Sequence, residues 1–433
     1  MSTRIVHRPA RLHKKIKADK PIEIAAVPTI RGGGGGGVLM ALMPIVGGAG
    51  MVMMMMSSGN PIRMAIGSVM IVVVLFTAIG AFARNRTGKR KQAEDDRVRF
   101  IEHLGQVEQE IRERAQTQRS EALMRNPAPE MLADVVRDPY RIWERRRGDE
   151  DFLITRIGSG IGELATHVFV KPTNDPMAIS EPIAQAHLDR MLRRTRTIEG
   201  LPMSIPARGV ISLVGPLEQT TAAVRSIVLQ AAVFHAPDDL RIHVAQPYDG
   251  DWLLWLPHIL SPELFDGPIG KREVSHDEES ATELVEEITS RVEELAEKSK
   301  YREATLDRPF FMVIVDMDTP HGKWVAGQLS ALPSVASGRM VLLAMSSSQY
   351  LEPSHVDVRV LLEDDNTFEV QLLSRGEIQD PAEGEEGYVE RMLYGGRKGT
   401  LDIIPISLAE AITRQLSPLR LVEDATPDAP LEQ

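Results

Sequence analysis

A glycine and two threonines behind one apolar strand, and two aspartates behind another, are the residues whose types and spacing bear on chemistry. In GVISLVGPLEQTTAAVRSIVLQAAVFH, Gly209 to His235, the apolar run Val210 to Val214 leads into Gly215-Pro216 and then a helix-forming stretch. That is the layout of a phosphate-holding loop. Such a loop needs G-x-x-x-x-G-K-S/T: glycines for close backbone approach, a lysine for the β/γ-phosphates and a hydroxyl on Mg2+. Counted from Gly215, the three decisive positions hold Thr220, Thr221 and Ala222. Phosphoryl transfer rests on stabilising charge, so efficient hydrolysis is not expected here, and ATP and Mg2+ are expected to bind weakly at most. In PFFMVIVDMD, Pro309 to Asp318, Asp316 stands where an acid would hold Mg2+ through water, and Asp318 follows. Two readings stay open. Gly215, Thr220, Thr221, Asp316 and Asp318 form a degenerate nucleotide site, or the threonines cap a helix and the aspartates shape a turn. The absence of Cys excludes disulfides, thiolate metal sites and Cys nucleophiles, and no His, Asp and Glu cluster shows metal-ligand spacing.

These residues need a scaffold. Short apolar runs at Phe152 to Ile157, Val210 to Val214, Leu240 to Ala245, Pro309 to Asp318, Met340 to Met345, Val356 to Leu362 and Phe368 to Leu373 alternate with helical stretches. That alternation predicts a parallel sheet wrapped by helices, an α/β RecA-like domain over 139–375. The helix Glu278 to Lys298 opens with a capping box from Ser275 to Glu278. The segment Tyr140 to Gly160 reads as a charged connector, with a solvated or ion-paired face, entering a strand. Residues 376–433 read as an acidic connector and helical tail, with Ser407 capping a short helix.

Upstream, two uncharged runs, Val38 to Met56 and Met64 to Ala83, are each long enough to cross a hydrocarbon core of ~30 Å as a helix. SSGNPIR between them predicts a hairpin over 38–83. Residues 1–37 form a basic arm ending in Arg31 and six glycines, read as a flexible tether. The chain up to Lys91 holds 14 basic and 2 acidic residues, leaving 36 and 59 for the rest, so +12 and −23 sum to the net −11. Basic flanks place both termini in the cytoplasm, and the acidic body does not suit nucleic acid. A helical stalk over 84–138 carries an apolar stripe: Val98, Ile101, Leu104, Val107 and Ile111, continued by Ala115 and Ala122. That stripe is read as a docking surface for a partner subunit or a second copy, with folding back on its own chain as the alternative.

WERRRGDEDFLITRIGSG (Trp143 to Gly160), AAVFHAPDDLRIHV (Ala231 to Val244), DWLLWLPH (Asp251 to His258) and AEAITRQLSPLRL (Ala409 to Leu421) resemble, in order, the membrane-proximal half of EccC/EssC-type proteins. These are the FtsK/SpoIIIE-class ATPase subunits of type VII (ESX) secretion systems. The resemblance implies an anchor in the bacterial cytoplasmic membrane and EccB, EccD and EccE as membrane partners. It also implies a hexameric whole, and WXG100-type substrates met through catalytic modules that follow in that family. This sequence reaches Gln433 before any intact phosphate loop, so motor activity is not carried over to its residues. The expected role is to anchor the complex and couple downstream ATPase modules to a membrane pore. The rival readings are an FtsK-like DNA translocase and a structural scaffold that binds no nucleotide.

Overall fold

The computed structural model describes residues 4–8, 11, 15–30, 53, 61–173, 178–245, 250–267, 269–299, 309–330, 332, 339–373 and 384–421. Two compact units emerge. One comprises Met1–Asp19, Ala115–Ala165 and Thr197–Gln433, the other Lys20–Arg114 and Thr166–Arg196.

The first unit is built on a ten-stranded sheet. Its strands, in chain order, are β1 (Ile154–Glu163), β2 (Thr197–Pro206), β3 (Gly209–Val214), β4 (Leu240–Ala245), β5 (Val274–Ser275), β6 (Phe310–Asp316), β7 (Met340–Ser346), β8 (Val358–Leu362), β9 (Thr367–Leu372) and β10 (Lys398–Leu401). The spatial order is β5-β4-β6-β7-β3-β8-β9-β10-β1-β2. From β5 to β8 the pairing is parallel; from β8 to β2 it is antiparallel. The parallel strands β3 and β7 read as apolar runs because both faces are covered: every residue of β3, β4 and β7 is buried, Arg241 and His243 of β4 included.

The helices follow the same numbering: α1 (Pro61–Arg125), α2 (Pro182–Thr195), α3 (Leu217–Phe234), α4 (Glu278–Ser299), α5 (Pro320–Leu329), α6 (Gly384–Tyr394) and α7 (Ile406–Leu416). Leu284 and Ile288 of α4 and Val325 and Leu329 of α5 pack with Val313, Val315, Leu342 and Ala344 of the sheet. Helix α3 is buried from Ala222 through Phe234, which explains its uncharged second half.

The α/β core thus lies where the apolar runs put it, but the sheet extends further. The tail supplies β10, inserted between β9 and β1, and the fully buried Ile412 and Leu416 of α7. Its Gly-rich sequence hides a strand for a steric reason: a Cβ at Gly399 would stand 2.5 Å from the Ser159 carbonyl oxygen. Nor is the described part of the basic arm a tether. Arg4–Val6 pairs in parallel with Leu419–Leu421, and Ile16 joins Ala165, Tyr388, Met392 and Leu393 in a second small core.

In the second unit, Ile22–Ile24 pairs in parallel with Val168–Val170, and Thr29–Ile30 pairs antiparallel with Ile179–Ser180. Glu181 caps α2 by accepting the Ala184 N–H at 2.6 Å, and Arg97 of α1 lies 3.8 Å from the same carboxylate. His103 Nε2 accepts the Ala25 N–H at 3.3 Å. Here the stalk stripe changes meaning: Leu104, Val107 and Ile111 are buried within the chain and Ile101 is half-buried, while Val98 is 47 % exposed. An amphipathic stripe looks alike whether its partner is another subunit or its own chain, and here the chain itself covers it. Leu104→Ala should therefore cost about 2–3 kcal/mol, and Val98→Ala should stay within about 0.5 kcal/mol. Urea midpoints of the two variants provide the check; equal shifts would contradict this packing.

The first uncharged run, Met53 apart, lies outside the described residues. The second is helical throughout within α1, and its described large side chains, Val69, Val72, Leu75, Phe76 and Ile79 among them, are exposed. Several other side chains of that run fall outside the description, and among the described residues no helix is long and apolar enough to cross a membrane.

Candidate functional site

The turn between β3 and α3 is two residues long, Gly215 and Pro216. Gly215 donates its N–H to the Ser346 carbonyl at 3.0 Å, and a Cβ there would stand 2.5 Å from the Leu362 carbonyl oxygen. The Thr220 N–H already bonds the Pro216 carbonyl at 3.0 Å, so the helix begins before a phosphate could be wrapped. Pro216 occupies the N-cap without a side-chain cap, and it brings no N–H of its own. Thr220 and Thr221 are therefore not caps. Thr220 Oγ1 donates to the Leu217 carbonyl at 3.1 Å, and Thr221 Oγ1 bonds the carbonyls of Leu217 and Glu218.

Charge at this corner has the wrong sign for phosphate. Glu218 sits in the first turn of α3, and the β8–β9 connection carries Glu363, Asp364 and Asp365. Gln219 Nε2 lies 3.4 Å from the Asp364 carbonyl, which brings that acidic turn against the helix start. Asp316 ends β6 and Asp318 lies just beyond it, with β7 between that strand and β3. Both are engaged locally: Asp316 Oδ1 accepts the Asp318 N–H at 2.9 Å, while Asp318 accepts Ser347 Oγ at 2.7 Å and Ser347 N–H at 2.9 Å. They tie the loop after β6 to the loop after β7. Among the described residues no group of three or more His, Asp or Glu is arranged to hold a metal. Gly215, Thr220, Thr221, Asp316 and Asp318 do not fit ATP and Mg2+.

The stretches that looked like a charged connector and a Trp-rich segment converge on a buried knot. Trp143 adopts left-handed backbone (φ 54°), donates its main-chain N–H to Val233 at 3.0 Å, and donates Nε1–H to Ala232 at 3.1 Å. Two residues on, the Arg145 guanidinium lies 4.3 Å from the centroid of the Phe234 ring, a desolvated cation–π contact. It also donates to the Arg125 carbonyl and to Asn126 Oδ1, both at 2.7 Å, and to the Ile154 carbonyl. Asp151 faces it at 3.7 Å and receives Arg11 at 2.6 Å, with Arg125 at 3.8 Å. Burial lowers the Arg145 pKa to about 10, partly offset by Asp151. Burial alone would raise that of Asp151, but the Arg11 hydrogen bond and the surrounding guanidinium charges hold it well below the usual carboxylate range.

Two histidines finish the knot. His235 Nε2 accepts the Leu153 N–H at 3.0 Å while Nδ1 faces the Ala231 carbonyl at 2.8 Å, which assigns the proton to Nδ1. His258 Nε2 in turn donates to the His235 carbonyl at 2.8 Å. Burial, with Arg145 second, lowers the His235 pKa to about 3; burial lowers that of His258 to about 4. The arm closes the outside: Arg8 donates to the Trp143 carbonyl at 2.9 Å and pairs with Asp239, which also binds Arg147 at 2.8 Å. What sequence reasoning missed is that Glu144, Arg145 and Asp151 of this stretch are internal. The available signal was a histidine at the end of each of two apolar runs, His235 and His258, where a solvated connector would need neither.

No family model matches the chain. Among curated proteins, the ESX secretion system protein EccC of Thermomonospora curvata is 29 % identical over 377 residues, covering 83 % of this chain and 26 % of that protein. EccC of Geobacillus thermodenitrificans is 24 % identical over 83 % of this chain and 25 % of its own length. The ESX-3 protein EccC3 of Mycobacterium tuberculosis is 33 % identical over 49 % of this chain and 16 % of its own. The chain thus spans about a quarter or less of these relatives' length. Among solved structures, the cytoplasmic domain of the Thermomonospora curvata type VII secretion ATPase EccC aligns at 14 % identity and a TM-score of 0.35, over 65 % of this chain and 36 % of that one.

Proposed function

We propose, from the premise that the chain is a homologue of the EccC/EssC ATPases of ESX secretion systems, that it forms the membrane-proximal coupler of a type VII secretion ATPase subunit. In this reading the chain does no chemistry of its own. The two-residue turn between β3 and α3, flanked by acidic groups, is the observation that carries it. The two uncharged runs anchor the subunit in the bacterial cytoplasmic membrane with both termini cytosolic, as their lengths and basic flanks favour. The buried knot fastens the end of α1 to the α/β core through Arg145, Asn126 and Asp151. A coupler needs such a joint, because a force applied along a helix is transmitted only if its end cannot slip. EccB, EccD and EccE would be its neighbours, a hexamer its assembly, and WXG100-type substrates the cargo of modules elsewhere in such proteins.

Calorimetric titration of the purified full chain with Mg-ATP tests this. No saturable binding is expected up to millimolar nucleotide, and Asp316→Asn should behave identically. Saturable binding that Asp316→Asn abolishes would overturn this reading and make Gly215, Thr220, Thr221, Asp316 and Asp318 a nucleotide site. A DNA translocase is disfavoured by the −23 charge of the body.

A further inference from the structure

The antiparallel half of the large sheet holds a second feature, independent of coupling. Between its β9-β10-β1-β2 portion and α6 lies a cavity of about 400 Å³. That is within the range of small-molecule sites, and at ~30 Å³ per liquid water it accommodates roughly a dozen non-hydrogen atoms. Its walls include Val370, Leu372, Pro206 and the Tyr394 ring, with Ile161 more than half exposed. Ser204 also lines it, and among the described residues the buried Oγ of that residue has no hydrogen-bond partner. A buried hydroxyl without a partner is costly, and a ligand acceptor would relieve that cost. Burial raises the Tyr394 pKa, so its hydroxyl remains a donor.

Charge narrows the ligand class. Arg391, Arg397 and Lys398 line the cavity against two carboxylates, Glu163 and Glu390. Arg391 faces Glu163 at 3.4 Å, and Lys398 pairs with Glu369 at 2.8 Å with most of its side chain in solvent. The Lys398–Glu369 pair is exposed, and a pair of that kind is worth little and exchanges readily for a better anion. We propose that this cavity is a binding site for a small hydrophobic carboxylate, its apolar body against Val370, Leu372 and Tyr394 and its head among Arg391, Arg397 and Lys398.

The full chain in lipid nanodiscs, with empty nanodiscs as reference, is titrated with 4-phenylbutyrate, 4-phenylbutan-1-ol and 4-phenylbutylamine, which share a body and differ in the head. Saturable binding of the carboxylate is expected, weakened about tenfold for the alcohol and lost for the amine. N-acetylphenylalanine distinguishes the sources: tighter binding than 4-phenylbutyrate identifies a peptide carboxyl terminus, weaker binding a free acid. Leu372→Trp should fill the cavity and abolish binding, while Arg397→Glu should weaken the carboxylate about tenfold, leave the alcohol unchanged and preserve the thermal unfolding midpoint. Equal binding of all three heads, no saturable binding of the carboxylate, or unaltered binding by folded Arg397→Glu would overturn the proposal.

Discussion

Asp151→Asn is expected to destabilise the large unit by about 3–5 kcal/mol, the cost of leaving a buried charge without its partner. The Asp151 carboxylate is almost wholly shielded and is shared among Arg11, Arg145 and Arg125, and Arg145 itself is 1 % exposed. The asparagine keeps the shape and removes the charge, so three guanidinium groups then face one another. Arg145 cannot move to water without abandoning Phe234, Asn126 and the Ile154 carbonyl. Urea unfolding followed through the buried Trp143 and Trp252 reads the loss directly. A double-mutant cycle with Arg145→Met separates the pair from the rest: if the knot is one network, the double variant is far less damaged than the sum of the singles. A shift below about 1 kcal/mol for Asp151→Asn would mean that the charges are solvated.

Acidification should weaken the same region by about 4 kcal/mol between pH 7 and pH 5. The sign follows from proton uptake. His235 and His258 have folded pKa values lowered to about 3 and about 4, against an ordinary value of 6.5. Between pH 6.5 and pH 4 the unfolded chain binds a proton at each and the folded chain at neither, so stability is full above pH 6.5 and falls as pH falls. Each histidine contributes a slope of about 1.4 kcal/mol per pH unit, hence about 2 kcal/mol each at pH 5. Asp151 acts in the same direction but only below its ordinary value of 3.8, because its folded pKa is depressed. Urea midpoints at pH 7, 6 and 5 measure the slope, and His258→Gln should halve it. A midpoint flat across that range would show that the histidines are reached by solvent.

Much of the parallel core was legible in the sequence. Runs such as Val210 to Val214 and Met340 to Met345 have no polar face, and a strand of that kind is stable only when covered on both sides. The missing glycine, lysine and hydroxyl were likewise visible at Thr220, Thr221 and Ala222, since hydrolysis depends on side-chain identity. So was the division between a basic, apolar front and an acidic body, and with it the expectation of membrane attachment.

Other features depended on which distant residues meet. Whether Thr220 caps a helix turns on where the helix starts, and Pro216 with the close approach of Leu362 fixes that point. The stripe of Leu104, Val107 and Ile111 announces an apolar partner without saying that its own chain provides the cover. Lys398–Leu401 has no strand-like pattern of its own and becomes one because β1 and β9 leave a place between them. The charges of Trp143 to Asp151 read along the chain as a solvated or ion-paired face; that Glu144, Arg145 and Asp151 are buried depends on partners, and these lie at Arg11, Asn126, Phe234 and His235. Local sequence determined the strands, the membrane-like runs and the loss of catalytic groups because those follow from residue type and short-range spacing. Tertiary structure alone decided the knot, the closed turn and the covered stripe, because each is a meeting of residues tens to hundreds of positions apart.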